Sequence, residues 1–393
     1  AVRHYPNLRM GREFRVNSFL SDVMSQITPS ATEKTSALAN RMRREGIDVI
    51  SFAQGEPDFD TPENIREAGC GAIRGGFTRY TDVPGIPELK DAIAEKFRRE
   101  NGLSYDRDEI IASNGGKQIL YLLFRCVCNP GDEVILPTPC YVSYADQIRL
   151  SGGVPVFAPT SEARAFRLCA NDIRPHLSAR TKVVVVNSPN NPTGAICTGE
   201  DLREIAALSE ERDLLVVTDE VYEHLVYDGV RHVSFASLDS GAKRRTITVN
   251  SLSKTYAMTG WRIGFAGGPA PLIGAMSKLQ GHVSGNVNSV TQKAAIEALR
   301  GPQDAVEVMR TRYESRRNLM MELVDAIPGL RAVTPQGAFY LFTDVRGLYG
   351  RSWKGGVLGN DIDVAEFLLA EAHVAVVPGE AFAYGGLDRK SVV

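Results

Sequence analysis

The sequence predicts an α/β fold: a mostly parallel central sheet with helices on both faces, followed by a smaller α+β domain. Short β-rich runs alternate with helical stretches between residues 110 and 266, the pattern of strands joined by crossover helices. One run, Lys182 to Val186, is almost purely β-branched, as a strand buried on both faces should be. From about residue 302 the alternation gives way to one long helical stretch and short, scattered β runs.

In chain order, residues 1–34 read as a polar arm with one short helix, and PSAT at 29–32 as a helix start. Val49–Ala53 is a short strand running into the turn-rich Gln54-Gly55-Glu56-Pro57-Asp58-Phe59. Pro87–Gly102 is an amphipathic helix, with Leu89, Ile93 and Phe97 on one face and Gly102 as its stop. Strands are expected at 110–112, 133–136, 154–158, 182–186, 214–217, 247–249 and 263–266, with helices over 117–127 and 198–212. Thr198 and Asp201 have the spacing of a capping box. In the last part, a long helix carries Met309, Tyr313 and Met320 on one face. Strands at 331–334 and 338–342, a glycine-rich loop at 350–359, a helix at 363–372 and a strand at 374–377 complete the expectation.

With 393 residues, 43% of them hydrophobic, the chain can bury a large core and fits two domains. A net charge of −2 argues against nucleic acid as a partner. No apolar run is long enough to span a membrane. Six scattered cysteines without a CxxC, and six histidines without HExxH, point to a reducing cytoplasmic setting and to no metal site.

In such a sheet, ligands belong at the carboxyl ends of the strands, and the notable polar residues fall there. Ser113-Asn-Gly115-Gly116-Lys117 joins a strand to a helix, where glycines let backbone N–H groups approach an anion. Asn191 lies in NSPNNPTG (187–194), which follows the buried strand. Tyr141 follows another strand, and Asp219 ends an apolar one with Tyr222 one helical turn on. In TITVNSLSKTYAMTGWRIGFAGG (246–268), Ser251 and Ser253 precede Lys254, and Arg262 comes before the next apolar run. Serine hydroxyls and an arginine can hold a phosphate dianion. A lysine there becomes a nucleophile once desolvation and neighbouring positive charge remove its proton.

SLSK, AMTGWRIG, NSPNNPTG and TDEVYE, in this order and spacing, resemble the class I aminotransferases, a fold-type I pyridoxal-phosphate family. The resemblance runs from about Pro29 to Ser391. It implies pyridoxal 5'-phosphate (PLP) as cofactor, carried by Lys254 as a Schiff base, with Lys254 then serving as general base and acid. It implies Asp219 on the pyridine nitrogen, Asn191 and Tyr222 on the phenolic oxygen, and Tyr141 stacked on the ring. The phosphate would be held by the Gly115-Gly116-Lys117 backbone, Ser251, Ser253 and Arg262. Tyr80, in RYTDVPGIPEL, would reach the phosphate of a partner subunit, which implies a homodimer with shared sites. Arg389 would take the substrate α-carboxylate, with Gly55 beside it and Phe339 as a wall.

PSAT and the lysine of GGKQ resemble the bacterial aspartate and prephenate aminotransferase subgroup, in which a lysine like Lys117 meets a distal carboxylate. The loop at 281–286 departs from that subgroup, and PCYVSY stands where relatives often have PYWVSY. The resemblance also leads one to expect a final helix after Ser391, where this sequence ends at Val393. The expected division is an arm and part of the small domain at 1–48, a PLP-binding domain at 49–300 and a small domain at 301–393. Transamination of aspartate or glutamate with a 2-oxo acid such as 2-oxoglutarate is the leading activity. The same scaffold also serves β-lyases, decarboxylases and oxidases, and more remotely a PLP-sensing regulator.

Overall fold

A computed structural model describes residues 19–27 and 31–383. Its centre is a seven-stranded sheet: β1 (Ile110–Ser113), β2 (Glu133–Thr138), β3 (Val154–Pro159), β4 (Thr181–Asn187), β5 (Leu215–Asp219), β6 (Thr246–Ser251) and β7 (Gly264–Gly267). The spatial order is β1-β7-β6-β5-β4-β2-β3. Every pairing is parallel except the two made by β7. All seven strands expected from the sequence are present, most extended by a residue or two at their ends.

The register decides where chemistry can occur. Asn187 pairs with Asp219, Asp219 with Val249, and Gly264 with both Ser251 and Ser113. The carboxyl ends of β1, β4, β5 and β6 therefore form one edge. β7 runs the other way, so it begins at that edge, which puts Arg262 among the strand ends.

Apolar side chains fill both faces. On one, Ile119, Leu123 and Phe124 of the helix Gly116–Val127 meet Val134, Val217, Val249 and Ile273. On the other, Leu202 and Ile205 of the helix Gly199–Glu211 pack on Val184, Val186 and Val216. The helix Pro87–Asn101 buries Leu89, Ile93 and Phe97, as its periodicity predicts, and stops at Gly102 with φ 68°. The capping box at Thr198 forms: its hydroxyl accepts from Asp201 N at 3.2 Å, and Asp201 Oδ2 accepts from Thr198 N at 2.8 Å.

Beyond residue 303 the chain leaves the sheet. The helix Asp304–Asp325 buries Met309, Tyr313 and Arg317, while Met320 is half-buried. A strand at 338–342 does not form. Ala338 takes φ 57°, which ends an extended run, and the ladder is Arg331–Ala332 with Thr343–Asp344 instead. The expected loop at 350–359 contains a small hairpin, Ser352–Trp353 against Gly356–Val357, turned by Lys354 and Gly355, both at positive φ. The terminal strand shortens to Val374–Ala375 and pairs in parallel with Ile50–Ser51. That pair joins the helix Asp361–Ala372 to the helix Ala31–Arg44, so the PSAT helix start is present from Ala31 onward. Pro29 and Ser30 lie outside the described residues.

The Thr198 cap gives a direct stability test. Thr198→Ala should lower the unfolding free energy by about 1 kcal/mol, read from urea midpoints, whereas Thr198→Ser should stay near the parent.

Candidate active site

The strand ends open into a cavity of about 620 Å³. Its lining includes Gly116, Lys117, Tyr141, Asn191, Asp219, Tyr222, Ser251, Ser253, Lys254, Arg262 and Gly55, all singled out from the sequence. Tyr144, Asn187, Glu56, Thr259 and Tyr340 line it too, as do Glu33, Ser36 and Asn40 of the helix Ala31–Arg44.

One end is built to meet an anion. Gly115 turns at φ 94° into the helix that starts at Gly116, so the first N–H groups of that helix face the cavity edge. A Cβ on Gly264 would come within 2.7 Å of Gly115 C, and one on Gly115 within 2.7 Å of Arg262 Nη2. Only glycine at both positions lets the turn, β7 and the guanidinium meet. Ser251 Oγ lies 2.8 Å from Ser253 Oγ and accepts from Ser253 N at 3.1 Å. Arg262 donates to Thr259 O at 2.8 Å, which aims the guanidinium along the same edge.

The middle holds a buried acid. Tyr144 Oη donates to Asp219 Oδ2 at 2.6 Å, and Val221 N lies 3.4 Å from Oδ1. Burial pushes the Asp219 carboxyl up to about 6, against the opposing hydrogen bond from Tyr144. Tyr144 carries no distinctive sequence signal beyond its place at the end of PCYVSY. Its ring meets Tyr141 edge-on at 5.4 Å.

Lys254 sits on the one-turn helix Leu252–Thr255, after β6. Its Nζ donates to Gly55 O and lies 5.5 Å from the Phe339 ring centroid. Burial pushes the ammonium down to about 8, helped by Arg262 and Lys117 and opposed by Glu56 and Asp219. An amine so shifted is half unprotonated near pH 8, well below an ordinary lysine, which favours a nucleophilic lysine.

Three expected site residues remain, Phe339, Tyr80 and Arg389. Phe339 stands beside Tyr222 and Tyr340, ring centroids 5.5 and 4.9 Å away, with its ring 5.5 Å from Lys254 Nζ, and Tyr340 lines the cavity next to it. Tyr80 is 98% exposed and is not among the lining residues. Arg389 lies outside the described residues.

Behind the site is a polar cluster that sequence spacing could not reveal. Lys96 Nζ donates to Glu223, whose oxygens also accept from Asn101 and Asn250, each at 2.6 Å. Burial alone would raise the Glu223 carboxyl, but Lys96 and the neighbouring histidines hold it well below the usual range. Glu223 also approaches His224 and Glu100, and on its other side Glu220 and His232. Lys96 already supplies the positive charge in this cluster.

The aminotransferase class I and II family model matches residues 47–392. The chain belongs to this family. The aspartate aminotransferase of Bacillus sp. (strain YM-2) is 44% identical over 367 residues, covering 93% of each chain. A probable aspartate/prephenate aminotransferase of Aquifex aeolicus is 44% identical over 374 residues, 95% of this chain and 93% of that one. Among solved structures, the aspartate aminotransferase of Rhizobium meliloti superposes with a TM-score of 0.90 at 44% identity, covering 95% of this chain and 94% of that one. The Thermus thermophilus enzyme with maleate gives 0.88 at 43%, with the same coverage. The aminotransferase is therefore similar to these enzymes along nearly its whole length.

The acid in the middle of the aminotransferase cavity has a measurable cost. Its folded value, about 6, lies above its ordinary 3.8, so the fold holds the proton more tightly than the unfolded chain. The penalty is absent below about pH 4, grows between about pH 4 and 6, and reaches about 2–3 kcal/mol above that. Without cofactor, Asp219→Asn should therefore gain stability relative to the parent as pH rises from 4 to 8. Parallel urea curves for the two proteins would give a pH-independent difference if burial of the charge carried no such cost.

Proposed function

We propose that this aminotransferase binds PLP and transfers the amino group of an acidic amino acid, aspartate or glutamate, to a 2-oxo acid such as 2-oxoglutarate. The observation that carries the reading is the placement of Lys254, Asp219 and the glycine–serine–arginine edge around one cavity. The residues present fit the cofactor. Asp219 is a buried carboxylate whose side-chain partner is the Tyr144 hydroxyl, with no ion pair among the described residues, and a protonated ring nitrogen would supply one. Gly115 and Gly264 leave backbone, not side chain, at the edge where a phosphate would sit.

Gly116 and Lys117 N–H, the Ser251 and Ser253 hydroxyls and Arg262 would hold the phosphate. Asp219 would accept from the ring nitrogen, Tyr141 would cover a ring face, and Asn191 and Tyr222 would donate to the phenolic oxygen. When bound, PLP supplies the electron sink that takes up the Cα electron pair of the amino acid. Lys254 Nζ takes the Cα proton and returns it on the other side of the exchange. Tyr144 keeps the Asp219 carboxylate oriented throughout.

Lys117, at the mouth with its Nζ 5.7 Å from the Tyr141 ring centroid, would meet the distal carboxylate of the substrate. Gly55 and Arg389 would hold the α-carboxylate. The names of the relatives support an acidic substrate. The exposed Tyr80 supports a homodimer in which it reaches the partner's phosphate. Residues 49–300 would form the PLP domain, and 301–393 with part of 1–48 the small domain; the pairing of Ile50–Ser51 with Val374–Ala375 supports that grouping. Six unpaired cysteines support a cytoplasmic setting.

PLP-loaded protein mixed with L-aspartate alone should lose its long-wavelength absorbance and regain it on adding 2-oxoglutarate. Ammonia release or oxygen uptake without that cycle would assign a lyase or an oxidase instead. Lys254→Ala should lose that absorbance and at least about a thousandfold in turnover. The rate at which cofactor-free protein captures PLP should rise with pH, because the free amine reacts. Its midpoint should lie near 8, the shifted value of Lys254, and a midpoint above 10 would mean the lysine is not desolvated.

A further inference from the structure

Tyr340 stands where three parts of the site meet. Its Oη accepts from Asn191 Nδ2 at 3.3 Å and is hydrogen-bonded to Tyr222 Oη. Its ring lies against Gly55, where an added Cβ would come within 2.9 Å of Tyr340 Cε1; the carbonyl of that glycine is the acceptor for Lys254. Both phenols are buried, and burial raises both far enough that each keeps its proton at neutral pH.

Two protons and one oxygen–oxygen contact leave a choice of direction. One phenol donates across the contact, and the proton of the other is free. The Asn191 amide decides it: a hydroxyl that already accepts a hydrogen bond is the better donor. With Tyr340 accepting from Asn191, the favoured direction has Tyr340 donating to Tyr222, which leaves the Tyr222 proton for the cavity that its side chain lines.

We propose that Tyr340 is a positioning residue that fixes the direction of the Tyr222 O–H, through a run from Asn191 N–H to Tyr340 O–H to Tyr222 O–H that ends as a donor facing the cavity. This rests on the PLP reading above, in which Tyr222 serves the phenolic oxygen. The role was not visible in the sequence, where Tyr340 is one of several aromatics in GAFYLF.

The test is a spectroscopic pH titration of bound PLP in four proteins: the parent, Tyr340→Phe, Tyr222→Phe and the double variant. Phenylalanine keeps the ring packing against Phe339 and Tyr222, so Tyr340→Phe removes the hydroxyl alone. The other groups facing the two phenols, Asp219, Tyr141 and Tyr313, and the cavity charges Lys254, Lys117, Arg262 and Glu56, are the same in all four. A phenolic oxygen with a weakened donor holds its shared proton more tightly, so the midpoint should rise in Tyr340→Phe by about half a unit to one unit. It should rise further in Tyr222→Phe, and the double variant should match Tyr222→Phe alone, because Tyr340 acts through Tyr222. An unchanged midpoint in Tyr340→Phe, or shifts that add in the double variant, would overturn the proposal. A parent protein that takes up no PLP would instead overturn the function on which it rests.

Discussion

The site depends on one close approach of backbone to backbone. Gly264, the first residue of the antiparallel strand, passes so near the Gly115–Gly116 turn that any side chain on it would collide with main-chain atoms. That contact holds the start of the helix Gly116–Val127 against the end of β6, and it brings Arg262 to the same place. A helix N-terminus carries partial positive charge, so the three features add at a single point. The cup is made of main chain and short hydroxyls, which have little freedom to lose when an anion arrives.

Charge is managed differently a few ångströms away. Asp219 is buried with no ion-pair partner among the described residues, and burial raises its carboxyl despite Lys254 nearby, whereas Glu223, four residues on, is buried against Lys96 and stays ionised. The second carboxylate is structural. It grips Asn250, whose side chain in turn accepts from Ser251 N at 2.7 Å, so the ion pair steadies the turn that leads to Lys254. Removing one member of such a pair leaves the other charge stranded, which is more damaging than never having had either.

Much of this could be read before any coordinates, and what could not has physical reasons. The strands were readable because a sheet covered on both faces needs unbroken apolar runs, as in Val183–Val186. The residues lining the cavity were readable because strand ends are fixed in sequence once strands are known. The helices Glu63–Arg74, Ala270–Val283 and Ser289–Arg300 were not among the expected elements; in the first and last, small residues such as Gly69, Ala72, Ala294 and Ala298 make up much of the buried face. Tyr144 and Tyr340 were missed because their roles come from partners 75 and 149 positions away.

The two-residue pair between Ile50–Ser51 and Val374–Ala375 is small but has mechanical weight. Ile50 N donates to His373 O and Phe52 N to Ala375 O, both at 2.9 Å. Ala39, Val49, Leu369 and Ala375 pack together around that seam. The helix Ala31–Arg44, which borders the cavity entrance through Ser36 and Asn40, is thus stitched to the helix Asp361–Ala372, from the opposite end of the chain. The seam therefore ties the cavity rim at Ser36 and Asn40 to a helix that does not itself line the cavity.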